Sequence, residues 1–297
     1  MQPWHGRLSA GFPAPAGDAR LEIHCSAADL WSNQATVAQG PTAFVGMPFG
    51  AASTVRQRQG TRTVKIKDIS YPGMAGYIQV AATEDDDTQG RYQRGVFFGR
   101  QAERFELRAG DHWQGPRSSD ARKNRERVEF RDETMVRVSR RADWFRQSWD
   151  ILIHSAEYTE MSPKQTHGQV FDEKNRYPIL FMRRENGVQE ILVNSKYKDG
   201  PAGVRLPVPF VVNAWNWYAL DVLPRPGENA AAFRLSHNGV LVAEMTNISL
   251  IEDDADYLYW KHGVYRSGME AWDEANPGVR APTLVSYYSR VARVELY

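Results

Sequence analysis

From residue 62 to the C-terminus the chain is a succession of short runs rich in Val, Ile, Phe and Tyr, separated by Gly, Pro, Asn and Asp. Helical periodicity is scarce, and runs of this length and composition are typical of the strands of an all-β sandwich. The stretch FRLSHNGVLVAEM places Asn238-Gly239 between two alternating runs, which predicts a β-hairpin. We therefore expect residues 62–297 to form one β-sandwich domain.

Residues 1–61 have a different character, because Pro, Gly, Ala and Ser are frequent and only LEIHCS and TAFVGM resemble strands. This composition predicts an N-terminal extension or a small docking element ahead of the sandwich. The alternative is that the segment adds a strand or two to the main domain.

Composition limits the class of protein. With 42% hydrophobic and 25% charged residues in 297, the chain is expected to fold, which excludes wholesale disorder and a collagen-like repeat. The single cysteine, Cys25, excludes an internal disulfide and a cysteine-based zinc site. The formal net charge is +1 and no apolar run is long enough to cross a bilayer, so neither nucleic acid nor a membrane is expected as a partner.

Two features concern where and on what the protein acts. The N-terminus lacks the layout of a secretory signal, so extracellular action would require attachment to a virion or removal of a leader. Arg outnumbers Lys by 29 to 8, which favours bidentate binding of carboxylates and sulfates and permits an anionic partner. A genomic bias toward Arg codons would give the same ratio.

The first motif is RVEFR, in which Arg127, Glu129 and Arg131 alternate with Val128 and Phe130. On a strand the three charged side chains share one face. Two guanidiniums with a carboxylate between them could cradle acidic sugar rings. The alternative is a surface ladder of cross-strand ion pairs.

The second motif is QTHG, in which alternation places Gln165 and His167 on one face. An amide beside an imidazole could polarise a carboxylate while the imidazole takes a proton. A structural role for His167 is the alternative.

The third motif is YWKHGVYR, in which Tyr259, Lys261, Gly263 and Tyr265 share one face and His262 faces the other way. Gly263 would leave room for a ligand to approach the backbone. A nearby ammonium would lower the pKa of Tyr265. The alternative is that Tyr265 belongs to the rim of the sandwich.

Taken in chain order, the stretches GRQAERFELRAGDHW, RERVEFR, QTHG and YWKHGVYR resemble the β-jelly-roll polysaccharide lyases of the heparin lyase I and glucuronan lyase type, and more distantly the family 7 alginate lyases. The resemblance spans residues 95–297. It implies an all-β, concanavalin-like β-jelly-roll sandwich with a concave substrate-binding sheet. It also implies β-elimination on an anionic, uronic-acid-containing polysaccharide, without a required cofactor.

By the same resemblance, each motif contributes residues to the site. His167 would be the catalytic histidine, Gln165 the amide that neutralises the substrate carboxylate, and Tyr265 the catalytic tyrosine. Lys261 would support that tyrosine, and Arg127 or Arg131, held by Glu129, would bind the uronate. The sequence departs from the family pattern at Val128, Phe130, Trp260 and His262.

Alternative functions are open at this point. A glycoside hydrolase needs two carboxylates framing the bond, but the acidic clusters Glu84–Asp87 and Glu252–Asp254 are contiguous and loop-like. The second cluster could hold calcium, although a solvated turn is the better explanation. A non-catalytic carbohydrate-binding or virion-surface module could use the same scaffold. If the chain is a phage capsule depolymerase, residues 1–61 would attach it to the particle.

Overall fold

A computed structural model describes most of the chain from residue 88 onward, together with two short strands before it. The described residues are 55–56, 76–79, 88–115, 118–159, 163–197 and 200–296. The predicted strands LEIHCS and TAFVGM, Cys25 and the acidic cluster at 84–87 lie outside these residues. Of the segment 1–61 only Val55–Arg56 is described, and it pairs with the end of the C-terminal strand, so the domain boundary at residue 61 stays a prediction.

Two antiparallel sheets make up most of the described structure. The strands of the first sheet are β1 (Val55–Arg56), β3 (Tyr92–Phe97), β4 (Arg100–Leu107), β9 (Phe145–Leu152), β14 (Asn216–Leu223), β15 (Ala231–His237), β16 (Val240–Ile248) and β18 (Leu284–Leu296). They are ordered β16-β15-β14-β9-β18-β4-β3, with β1 also pairing β18.

The second sheet carries the three motifs. Its strands are β2 (Gly76–Gln79), β7 (Arg125–Asp132), β8 (Val136–Arg137), β10 (Gln165–Asp172), β11 (Tyr177–Glu185), β12 (Val188–Asn194), β13 (Ala202–Pro207) and β17 (Tyr257–Ser267). They are ordered β13-β12-β11-β10-β17-β7-β2, with β8 also pairing β17. The RVEFR, QTHG and YWKHGVYR motifs therefore lie on three adjacent strands, β7, β10 and β17.

The remaining elements are small. They are the strand pair β5 (Gln114–Gly115) and β6 (Ser118–Ser119), a 3-10 turn at Ala121–Lys123, and the helices α1 (Thr88–Arg91) and α2 (Met269–Ala275). Among the described residues, neither helix has the length and hydropathy needed to span a bilayer.

The core lies between the two sheets, where the inward side chains of alternating strands meet. Trp149 of β9 and Trp260 of β17 pack with ring centroids 4.6 Å apart. Val128 and Phe130 of β7 are fully buried in the same cluster, as their alternation with charged residues predicts. The all-β jelly-roll sandwich expected from the sequence is confirmed.

The hairpin predicted at Asn238-Gly239 is also confirmed. It joins β15 to β16, and both turn residues have positive φ, 49° and 83°. This is the backbone of a type I′ turn, which Asn and Gly adopt with little strain.

Candidate functional site

The outer face of the second sheet brings two of the predicted motifs together. In the register of β7 with β17, Arg127 is opposite Tyr265, Glu129 opposite Gly263 and Arg131 opposite Lys261. Directly opposed residues project to the same face of a sheet. We call this surface the site face. It consists of Arg127, Glu129, Arg131, Tyr259, Lys261 and Tyr265, together with Gln169 and Phe171 of β10.

Glu129 is the centre of a buried network on the site face. Its carboxylate accepts hydrogen bonds from Lys261 Nζ at 2.9 Å, from Arg127 Nη1 at 3.2 Å and from Gln169 Nε2. All four side chains are buried. Because the four residues come from β7, β10 and β17, this carboxylate ties the three motif strands together.

Arg127 is fixed on its other side by Asp120, which precedes the 3-10 turn. The guanidinium donates from Nε and Nη2 to the Asp120 carboxylate at 2.6 and 2.7 Å, and from Nη1 to Gln79 Oε1 at 3.4 Å. The two carboxylates raise the pKa of Arg127 despite its burial. The guanidinium carbon lies 5.1 Å from the ring centre of Tyr265. Arg127 therefore supports Tyr265 from within the protein.

Arg131 is the more accessible of the two arginines, with 21% of its side chain exposed against 9% for Arg127. Its Nη2 donates to Glu173 Oε2 at 2.7 Å, and its guanidinium carbon lies 4.3 Å from the ring centre of Tyr259. The sequence leaves open which arginine would meet a ligand. The geometry favours Arg131, because its carboxylate partner Glu173 is partly exposed, whereas both carboxylate partners of Arg127 are buried.

Burial sets the protonation states of Lys261 and Tyr265. Burial lowers the pKa of Lys261 to about 8, although the Glu129 carboxylate opposes this shift. Burial also raises the pKa of Tyr265, although Arg125 and Arg127 act to lower it. The expectation that an ammonium would lower the pKa of Tyr265 is wrong, because desolvation is the larger effect. Tyr265 keeps its proton at neutral pH.

His167 lies in a different environment from Tyr265. Its Nε2 is 3.2 Å from the Tyr158 hydroxyl, and the ring is almost completely buried. Burial, with the nearby Arg184 cation, lowers the pKa of His167 to about 3. Within the described residues its Nδ1 has no hydrogen-bond partner. The imidazole is therefore neutral at physiological pH and has one ring nitrogen uncommitted.

A β-bulge interrupts the pairing of β10 with β17 at His167. Thr166 is opposite Tyr265, but Gly168 is opposite His262, so two residues of β17 oppose His167 alone. Such a bulge breaks the strict alternation of side chains. His167 is thus one residue away from the cross-strand partner of Tyr265.

The bulge changes the place of Gln165. Gln165 pairs with Arg266. Arg266 follows Tyr265 on β17 and therefore projects to the face opposite the site face, where its guanidinium is buried against Glu126. The expectation from alternation, that Gln165 lies beside Lys261 and Tyr265, does not hold in this register. Gln169 places its amide on the site face instead, against Glu129.

Gly263 and His262 are both packed against other residues of the protein. Gly263 has φ of 128°, and a Cβ there would lie 2.4 Å from the Val128 carbonyl oxygen. The glycine is needed for the close approach of β7 rather than for a ligand, which corrects that expectation. His262 faces away from Tyr265 as predicted; it lies in the core, with Nε2 2.8 Å from Glu103 Oε2.

Sequence reasoning missed Asp120, Tyr158 and Gln169. Gln169 follows His167 at a spacing of two on the same strand, so the alternation itself carried a signal. Asp120 and Tyr158 come from loops that only the fold brings to the site, and nothing in their local sequence marks them.

The acidic cluster at Glu252–Asp254 is bound by protein donors. Tyr197 donates to Asp253 at 3.3 Å and Asn175 donates to Asp254 at 3.0 Å. Across the described ranges, no group of three or more His, Cys, Asp or Glu side chains is arranged to hold a metal ion. The calcium expectation gains no support from this cluster.

Several solved structures are similar to this chain at low sequence identity. The endo-β-1,4-glucuronan lyase of the fungus Trichoderma reesei is 13% identical, with 82% of this chain and 89% of that chain covered and a TM-score of 0.48. The alginate lyase of Corynebacterium sp. is 14% identical, with coverages of 71% and 82% and a TM-score of 0.47. A marine family 7 alginate lyase of Zobellia galactanivorans is 13% identical, with coverages of 77% and 85% and a TM-score of 0.46.

Sequence comparison gives the family. No curated protein sequence is significantly similar to the chain. A family model described as polysaccharide lyase matches residues 53–292, which is well over half of the chain and includes all three motifs. This chain belongs to the polysaccharide lyase family.

Proposed function

We propose that this lyase cleaves a uronic-acid-containing polysaccharide by β-elimination at the site face. The observation that carries the proposal is that Tyr265, which keeps its proton, lies against Arg127 in the network centred on Glu129. This network positions a protonated tyrosine on the surface of the sheet through the contact of its ring with Arg127. The glucuronan and alginate lyases named above act on polyuronates, which supports this substrate class.

Arg131 is our candidate for the residue that binds the uronate carboxylate. A substrate carboxylate could take the position of the partly exposed Glu173 carboxylate, which the guanidinium binds through Nη2, and could engage the guanidinium at two points. Neutralising this carboxylate makes the adjacent C5 proton more acidic and stabilises the enolate-like transition state. The aromatic ring of Tyr259, beneath the guanidinium, would hold the arginine flat for this contact.

The elimination then requires one base and one acid. We assign the base to His167, whose neutral imidazole has an Nδ1 with no hydrogen-bond partner among the described residues. As the C5–H bond breaks, its electrons form the C4–C5 double bond and the C4–O bond to the leaving sugar breaks. We assign the acid to Tyr265, which would give its proton to the departing oxygen. Lys261 and Glu129 would hold the strand that carries this hydroxyl.

The test is incubation with glucuronan, alginate, heparin-like and bacterial capsular polysaccharides. A lyase produces unsaturated uronates, which absorb in the ultraviolet, and its products lack the water that a hydrolase adds. We expect both signals from at least one polyuronate. Binding to a polyuronate without unsaturated ends would favour the non-catalytic module, and saturated products would favour a hydrolase.

We also propose that the protein is a capsule-degrading enzyme of a phage and that residues 1–61 attach it to the phage particle. The basis is the composition of this segment, which differs from that of the sandwich. An antibody against the chain should then label particles of the phage that encodes it. Recovery of the chain only as free protein in the medium would contradict this attachment.

A further inference from the structure

Tyr288 joins the first sheet to both residues at the bulge of the second. It lies on β18, is fully buried, and points across the core. Its hydroxyl oxygen is 2.5 Å from the carbonyl oxygen of His167 and 2.8 Å from that of Gly263. One side chain thus contacts the backbone of β10 and of β17 at the same point.

The position of this contact follows from the bulge. Where the ladder between β10 and β17 is disrupted, backbone carbonyl groups lose their regular cross-strand partners and must find others. The register breaks between Thr166 and Gly168, and His167 is the residue left between them. The Tyr288 hydroxyl supplies the missing donor, shared between the two carbonyl oxygens.

The ring of Tyr288 is held firmly in the core. Phe105 packs edge-on against it with centroids 5.4 Å apart, and His262 lies 5.0 Å away. His262 is itself held by Glu103, and both of these side chains are fully buried. The hydroxyl is therefore anchored in the sandwich rather than free to follow movements of the two strands.

We propose that Tyr288 is a positioning residue for proton transfer, and this inference rests on the proposed function. By holding the His167 carbonyl it fixes the backbone that carries the imidazole. By holding the Gly263 carbonyl it fixes β17 two residues from Tyr265. The hydroxyl thereby sets the distance between the base and the acid, while the binding groups of the site face are held by other contacts.

The decisive variant is Tyr288→Phe, which keeps the ring and removes only the hydroxyl. We expect kcat to fall at least about tenfold, because small misplacements of reacting groups are costly. KM should stay within about threefold, because Arg131 and Tyr259 are untouched by the change. The separation of kcat from KM distinguishes positioning from a general loss of structure.

Tyr218→Phe is the matched control. Tyr218 is also a fully buried core tyrosine of the first sheet, and its hydroxyl donates to one backbone carbonyl, that of Pro209, which belongs to neither β10 nor β17. Both variants lose one buried hydroxyl, so their melting temperatures should fall by similar amounts. Only Tyr288→Phe should lose kcat; Tyr218→Phe should keep it within about twofold.

The proposal is overturned if the parent enzyme releases unsaturated ends and the kcat of Tyr288→Phe equals that of Tyr218→Phe. A parent that releases none would overturn the proposed function, and this inference with it. If Tyr288→Phe does not fold, Phe105→Leu replaces it, because it loosens the Tyr288 ring and keeps the hydroxyl. A fall in kcat of about threefold or more at constant KM then supports the proposal, and unchanged kcat overturns it.

Discussion

Lys261 donates a hydrogen bond to Glu129 across 2.9 Å, with both side chains buried, and so joins two motifs 132 residues apart in the chain. A buried ion pair is costly to desolvate and is retained only where its geometry is good. Here the carboxylate also binds Arg127 and Gln169. The pair fixes the register of β7 and β17 beneath the face that carries Tyr265.

Glu129→Gln should destabilise the protein strongly. The amide leaves the cations of Lys261 and Arg127 buried without this carboxylate, and breaking a buried pair in this way costs about 3–5 kcal/mol. We expect a loss of this size in the free energy of unfolding measured with denaturant. Glu244→Gln is the control, because the Arg234–Glu244 pair is about one third exposed and should contribute less than about 1 kcal/mol. Equal losses in the two variants would contradict a central role for Glu129.

The pH dependence of catalysis should show an alkaline limb near pH 8. The pKa of Lys261 is about 8, so its ammonium is lost as the pH rises through that value, and the support for Glu129 weakens. We expect kcat/KM to fall by about tenfold per pH unit above the limb. In Lys261→Met, kcat/KM should be much lower, and its pH profile should lack the limb near pH 8. Persistence of the same limb in that variant would assign it to another group.

Unfolding of the protein would not explain the alkaline fall in kcat/KM. The pKa of Lys261 in the folded chain, about 8, lies below the value of about 10.4 for an unfolded lysine. Between these values the unfolded chain binds more protons, so the contribution of Lys261 to stability rises with pH. As the pH rises above 8, kcat/KM should therefore fall while the contribution of Lys261 to stability rises. Melting curves recorded across the same pH range can show the change in stability.

The two arginines of RVEFR should behave differently when replaced by lysine. Arg131→Lys should raise KM by about tenfold, because a point charge replaces a fork that can hold a carboxylate at two points. Arg127→Lys should instead lower the free energy of unfolding by about 1–3 kcal/mol, because its bonds to Asp120 are buried. Kinetics and denaturant unfolding of both variants test this division. A larger KM effect from Arg127→Lys would reverse the assignment.

Strand alternation predicted much of this molecule and failed at an identifiable place. It gave the sandwich, the hairpin at Asn238-Gly239, and the facing of RVEFR and YWKHGVYR. It failed for Gln165, because a bulge depends on how two distant strands meet and leaves no local signature in QTHG. The strand Ala202–Pro207 carries no such alternation, because its exposed, glycine-containing sequence lies at a sheet edge where burial does not impose a pattern.

In the proposed mechanism Tyr265 supplies the proton to the leaving oxygen. Tyr265→Phe removes only the hydroxyl and keeps the ring against Arg127, so fold and polymer binding should persist. The direct measurement is kcat for the release of unsaturated ends from the preferred polyuronate, compared between Tyr265→Phe and the parent enzyme. We expect kcat to fall by a factor of about 10²–10⁴ at unchanged binding. Turnover of Tyr265→Phe near the parent rate would contradict it.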